Sequence, residues 1–573
     1  METTTPEAMA EVELLIQDGT VDVGRDHGRE TRRLTIPADR QDRFLDGPAC
    51  RRIAVVDFDP RTGAPLPPPA RFVPGRTGTA IRGRFVYDGE PTSRSTIAVN
   101  AFGTVFQTIR MFEGPDALGR TVTWAFDGEQ LLVVPRAGEW ANAFYDRATR
   151  SLQFFWFPGS TGRTVYTALS RDIVSHECGH ALLDAVVPSL FDSATPQSIA
   201  IHEAVADLVA VLMALDCGAL RTAVLARSDD SIEGSNAFNG IAEEFGTARA
   251  GPDGLRRRAL RELDNTATLQ DLDGAPPHEL STVLSGIYYD SLSSIYAARF
   301  ASELAPTAAN GARVSRAAAA NKALATAHIV ARRLLLRGID YLPPGDLSFA
   351  DVGRASLAAE RAARPDPTPV RRQQQRAFAQ RFVDRLVVPS VRALQSARPT
   401  ALDVPSEQVP QLHSSDWSAY AYVTAHRALL GIPAGTAFTV LPRVDATKVV
   451  GGAKEGVVPT QRELILKVAW NHVERVVQNG RGATQRLLRT GATVVLGWED
   501  GRCLALVRSD VTGRRQRRER DDLLLQLDAH GLIEDGSGPE GAGVRLDVSG
   551  GVATMTGTHG LLHLAGWEQW AGE

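Results

Sequence analysis

Two carboxylates inside an apolar run constrain this chain more than any other feature. IAIHEAVADLVAVLMAL (199–215) reads as a helix hydrophobic on nearly all sides, yet it carries Glu203 and Asp207 four residues apart. That spacing puts both acids on one face. A buried helix cannot hold two unpartnered carboxylates, so a neighbouring element must meet them. The preceding apolar segment, RDIVSHECGHALLDA (171–185), carries His176 and His180, also four apart. Ile173, Val174, Ala181, Leu182 and Leu183 give it an amphipathic helical pattern. The two helices are therefore expected to pack with acids facing imidazoles.

Two imidazoles on one helical face can fill two corners of a tetrahedral Zn²⁺ site. Glu203 is the expected third ligand. Asp207 is expected to accept the outer N–H of His176 or His180 and so fix its tautomer. Glu177 lies about 100° around the helix from His176. It borders the metal without having to bind it, which suits a general base acting on a metal-activated water.

His176-Glu177-x-x-His180, followed 23 residues later by Glu203-x-x-x-Asp207, resembles the gluzincin metallopeptidases, and the thermolysin-like neutral metalloproteases in particular. Further motifs follow in family order over about residues 50–390. Asn142-Ala143-Phe144-Tyr145 resembles the family's substrate-holding edge strand. Asp184 matches an acid after the second histidine. Ala259-Leu260-Arg261 resembles the segment whose arginine binds the substrate carbonyl. His278, in PPHELSTVLSGIYYD, falls where the family has its transition-state histidine. The resemblance implies a zinc-dependent endopeptidase acting on a peptide or protein, with Glu177 and His278 catalytic and Asn142, Ala143 and Arg261 binding substrate. It implies one zinc ion. Of the family's calcium-binding acids Asp172 is matched and the next falls at Ala214, so a double calcium site is not expected and a single calcium ion is left open. The family's oxyanion tyrosine is replaced by Phe191, which leaves His278 or a nearby hydroxyl such as Tyr288 or Tyr289 to serve. His202 stands where the family has asparagine.

The implied fold is α+β: a two-lobed thermolysin-like catalytic domain and a smaller α+β accessory domain. Residues 1–45 read as a flexible polar lead-in, 46–165 as a β-rich lobe and 166–395 as a helical lobe with the zinc site. Residues 396–415, rich in Pro, Ser and Asp, read as a linker, and 416–573 as the accessory domain. Within it, 417–432 and 461–478 are expected as helices. TVVLGWEDGRCLALVRS (493–509) and VRLDVSGGVATMTG (544–557) are expected as hairpins. The arginine run 512–520 reads as a solvated, self-paired helix start. His559 and His563 have no nearby acid or cysteine to complete a second metal site.

Composition narrows the function classes. A net charge of −4 gives no global field for nucleic acid. Four scattered cysteines without a CxxC exclude a disulfide framework and a cysteine zinc cluster. No stretch reads as a secretory signal or a membrane span, so the expected location is cytoplasmic unless a non-standard export route operates. Two rival readings remain: a metal-binding protein acting through residues 400–573, where a partner protein could dock, and a gluzincin aminopeptidase.

Overall fold

The computed structural model describes residues 7–16, 28–37, 42–59, 61–77, 80–159, 162–193, 195–241, 261–305, 315–365, 367–395, 398–451, 458–475, 485–529, 533–534, 544–549 and 552–557. Within them the chain is α+β. The first part holds β1 (Glu7–Leu15), β2 (Arg29–Pro37), β3 (Ile53–Val55), β4 (Arg71–Thr77), β5 (Ala80–Val86), α1 (Arg94–Glu113), β6 (Leu131–Val134), β7 (Ala143–Asp146), β8 (Ser151–Phe154), β9 (Trp156–Pro158) and β10 (Thr164–Tyr166). One four-stranded sheet has the order β2-β1-β5-β4 and a second has the order β3-β6-β8-β7. In the second, β7 is an edge strand, paired antiparallel with β8 alone among the described residues.

Within 1–45, the described residues 7–16 and 28–37 are not a lead-in. Ala8, Ala10, Val12 and Leu14 are buried and alternate with Glu11 and Glu13, a period of two that makes β1 a half-buried strand. Leu34 and Ile36 of β2 join the same core. The small alanines and the polar flanks hide this pattern in the text.

The helical part holds α2 (Arg171–Val186), α3 (Pro188–Phe191), α4 (Pro196–Asp216), α5 (Gly218–Arg227), the short strands β11 (Gly240–Ile241) and β12 (Arg261–Glu262), and then α6 (Pro277–Leu304), α7 (Arg316–Asp340), α8 (Phe349–Ala363) and α9 (Pro369–Asp384). Ser170 caps α2 by accepting from the Ile173 amide at 3.4 Å. α4 has a mean hydropathy of 1.8 over an 18-residue window, enough by composition to cross a membrane, but that window is wholly buried in the core. Gly179 of α2 lies where it meets α4: a Cβ there would stand 3.2 Å from the Ala206 Cα. The missing side chain lets the two helices approach closely, at the level of the histidines and acids.

The C-terminal part holds α10 (Val409–Ser414), α11 (Asp416–Ala425), α12 (Arg427–Leu430), β13 (Phe438–Val440), β14 (Val444–Val449), β15 (Thr460–Arg475), β16 (Gln485–Gly497), β17 (Cys503–Arg508), α13 (Arg514–Ala529), β18 (Ile533–Glu534), β19 (Val544–Ser549) and β20 (Val552–Gly557). Both expected hairpins form, as β16–β17 and β19–β20. Of the segment 461–478 expected as a helix, the described residues 461–475 are a strand. Thr460–Arg475 is the long central strand β15, paired with β16 from Glu463 to Arg475. Its two faces enter different cores. Ile465 packs with the helices before it, and Leu464, Leu466 and Val468 pack under α10–α12. A strand buried on both faces reads as a continuous apolar run, and periodicity cannot separate it from a helix.

The proposed linker is also structured. Within 398–415, Leu402, Val409 and Leu412 belong to the second core, and the Val404 amide donates to the Gly501 carbonyl at 3.0 Å. The C-terminal part is tied to both earlier parts. The Thr447 amide donates to the Gly119 carbonyl at 3.0 Å, and Thr493 Oγ1 donates to the Leu342 carbonyl at 3.0 Å.

Candidate metal centre

α2 and α4 bring the four predicted side chains together. His176, His180 and Glu203 are buried, with one ligand atom from each lying within 4.8 Å of the others. The Nε2 atoms of His176 and His180 are 3.1 Å apart. Glu203 Oε2 is 3.7 Å from His176 Nε2, and Oε1 is 3.5 Å from His180 Nε2. Metal–nitrogen bonds of about 2.0–2.1 Å at a tetrahedral angle separate ligand atoms by roughly 3.3–3.4 Å. The observed spacings bracket that value, so this group can hold a metal ion.

The surrounding groups orient the imidazoles. His176 Nδ1 lies 3.0 Å from Asp207 Oδ1, so Nδ1–H donates outward and the Nε2 lone pair faces the cluster. Asp207 therefore serves His176. His180 has a different partner: its Nδ1 lies 3.4 Å from Nδ1 of His202. For His180 to present a lone pair at Nε2, it must carry its proton on Nδ1 and donate to His202. That role was not assigned from the sequence. The signal was there, a histidine directly before the third ligand inside an apolar helix.

Burial pushes the Glu203 carboxyl up, but His278, His180 and His176 outweigh it and hold it well below the usual carboxylate range. His278, at the first turn of α6, places Nδ1 2.7 Å from Glu203 Oε2. Its side chain is 35 % exposed, unlike the buried ligand group, so it sits at the cluster's open side. Tyr288 and Tyr289 do not face the cluster. The Tyr288 hydroxyl meets Ser356 Oγ at 2.6 Å, and that of Tyr289 donates to the Ile232 carbonyl at 2.7 Å.

Glu177 is 4 % exposed and accepts from the Tyr145 amide at 3.1 Å. That amide belongs to the edge strand β7, which begins at Ala143. Asn142 Oδ1 accepts from the Ala143 amide at 2.8 Å and so shapes the start of the strand. The Tyr145 hydroxyl donates to Asp184 at 2.8 Å, and Arg147 Nε donates to the same carboxylate at 2.8 Å. Strand and helix are thus bolted together at Glu177 and again at Asp184, seven residues further along α2. Phe191 walls the back of this region, with its ring 5.3 Å from His202 and the Arg147 guanidinium 4.6 Å over its face.

Other predicted residues fall elsewhere. Arg261 lies in β12, and its side chain is outside the described residues, as are Ala259 and Leu260. His559 and His563 are outside them as well. Cys178 is fully buried with Sγ 3.9 Å from the Val105 carbonyl, and burial pushes its thiol up, as fits an inert core residue. No known family profile matches this chain, and no curated protein is similar to it.

Proposed function

We propose that this chain is a zinc-dependent metalloendopeptidase with a thermolysin-like, two-lobed catalytic region over about residues 50–390. The observation that carries this reading is the contact between Glu177 and the Tyr145 amide. It joins the expected base to an edge strand beside the metal ligands, where an extended peptide can add as a further strand.

His176, His180 and Glu203 would hold the zinc ion, which supplies Lewis-acid polarisation of a carbonyl and a lowered water pKa. Glu177 takes a proton from water at its carboxylate and delivers it to the departing amine. The Tyr145 amide keeps that carboxylate in place. β7 aligns the substrate backbone, with Asn142 and Ala143 at its entry. His278, whose Nδ1–H is held by Glu203, can present Nε2–H to a developing oxyanion as the doubly protonated imidazolium. Arg261 is the proposed partner of the substrate carbonyl.

The test is peptide hydrolysis by wild type, by wild type with a chelator, and by Glu177→Gln. The proposal expects cleavage that stops with chelator and returns with zinc. It also expects a loss of at least about 10²–10⁴-fold in Glu177→Gln with metal retained. Full turnover in that variant would place the base elsewhere. A second reading, a metal-binding protein without catalysis, draws on Phe191, whose ring offers no hydroxyl. It predicts zinc in every preparation and no hydrolysis in any.

A further inference from the structure

The arginine-rich helix α13 is not simply solvated and self-paired. Arg515 Nε does pair with Glu519 at 2.9 Å. Arg515 also donates from Nη2 to the Leu269 carbonyl at 2.8 Å and from Nη1 to the Leu386 carbonyl at 3.3 Å. Arg518 pairs with Asp273. Leu269 and Asp273 belong to the turn that runs directly into Pro277 and His278. The far side of that turn is held too, since Leu269 N donates to the Arg385 carbonyl at 2.9 Å. Glu519 reaches a second helix: it accepts from Gln197 Nε2 at 2.7 Å, in the first turn of α4, six residues before Glu203. Leu523 is buried in the main core beneath these contacts.

The opposite face of α13 is fixed to the C-terminal sheet. Arg520 Nη2 donates to Glu474 at 2.9 Å, and Arg486 Nη2 donates to Asp521 at 2.9 Å. One helix therefore touches the start of the helix that carries Glu203 and the turn that delivers His278, and is itself bolted to a sheet.

We propose that α13 is a built-in strap that sets the spacing between the starts of α4 and α6, and through it the 2.7 Å contact between Glu203 and His278. Arg515, Arg518 and Glu519 are positioning residues, since none touches the metal ligands. The effect on turnover rests on the peptidase reading, whereas the effect on the turn does not. The C-terminal region would then control the site from inside the fold and not act as a separate module.

The test is amide hydrogen exchange and peptide turnover in the full chain, for Arg515→Ala, Arg518→Asp and the swapped pair Arg518→Asp with Asp273→Arg. The strap predicts that exchange over residues 262–280 rises about tenfold or more in the single variants while α2 and α7 keep their protection. Turnover falls by about 10–100-fold, carried mainly by kcat, because His278 is misplaced and not lost. The swapped pair restores both readouts. Unchanged exchange over 262–280, an equal rise across the whole molecule, or a local rise with turnover intact would overturn the strap. A local rise in a protein whose wild type hydrolyses nothing would uphold the strap's hold on the turn and sink the peptidase reading instead.

Discussion

α2 touches two buried polar clusters that differ in how their charges are met. In its middle, His176 and His180 converge with Glu203 at spacings of 3.1–3.7 Å. At its C-terminal end, Lys467 Nζ donates to the Val186 carbonyl at 3.3 Å, and behind it lies an ionic network. Asp340 meets Arg120 and Lys448 at 2.7 Å each, Lys448 reaches Glu463 at 3.2 Å, and the Tyr341 hydroxyl donates to Glu463 at 2.8 Å. The network closes on itself, with each carboxylate facing a fixed cation. The histidine cluster instead aims its lone pairs at one point. A closed network fastens two parts of a fold, here the helices and the C-terminal sheet. A converging one is built to receive something.

The composition sharpens this contrast. Only four of the 63 basic residues are lysines, and two of them, Lys448 and Lys467, lie in this seam. Lys448 meets Asp340 as a compact point charge, beside the forked guanidinium of Arg120 on the same carboxylate.

The comparison can be broken most forcibly at Asp340. Burial raises its carboxyl, but Arg120 and Lys448 outweigh that and hold it far below the usual range. Asp340→Ala removes the carboxylate shared by half-buried Arg120 and buried Lys448, leaving Glu463 alone to meet Lys448, and should cost about 3–5 kcal/mol in urea unfolding. Zinc content in the surviving folded protein should be unchanged. Loss of metal in that variant would mean that the two clusters are coupled.

Lys467 provides the next largest effect. Burial lowers its ammonium to about 8, with Arg120 and Lys448 adding to the shift and Asp340 opposing it. Between that value and about 10.4 the unfolded chain binds the extra proton, so stability should rise with pH across this window. The full range is roughly 3 kcal/mol. Lys467→Met should flatten the dependence and raise stability at pH 7. Unfolding curves from pH 7 to 10.5 for both proteins check this, and an identical slope would assign the dependence to another group.

At the histidine cluster, Asp207→Asn should keep the fold and weaken zinc binding by about 10–100-fold, since an amide holds the His176 tautomer less firmly. Competition with a chromophoric chelator measures it. Unaltered affinity would show that Asp207 serves packing alone.

The ligand group was legible because its information is local. A four-residue spacing on each of two apolar helices carries it, and the need of buried acids for partners pairs the helices. Asp207 followed from the same logic, whereas the His202 contact with His180 required knowing which nitrogen faces outward. The C-terminal sheet was illegible for the opposite reason. In β15, Leu464 and Ile465 enter different cores, so the run has no polar face to reveal its period. Arg515 and Arg518 find a carbonyl and an acid some 245 residues away in sequence, which no local pattern encodes. In β1 the period-two signal was present, in Ala8, Ala10, Val12 and Leu14, but small side chains made it faint.

The most direct test of the central claim is the metal content of the purified protein, measured by mass spectrometry beside His180→Ala after growth with zinc. A metal centre built on His176, His180 and Glu203 predicts close to one zinc per wild-type chain and almost none in the variant. A metal-free wild type, or a variant with its full complement, would contradict it.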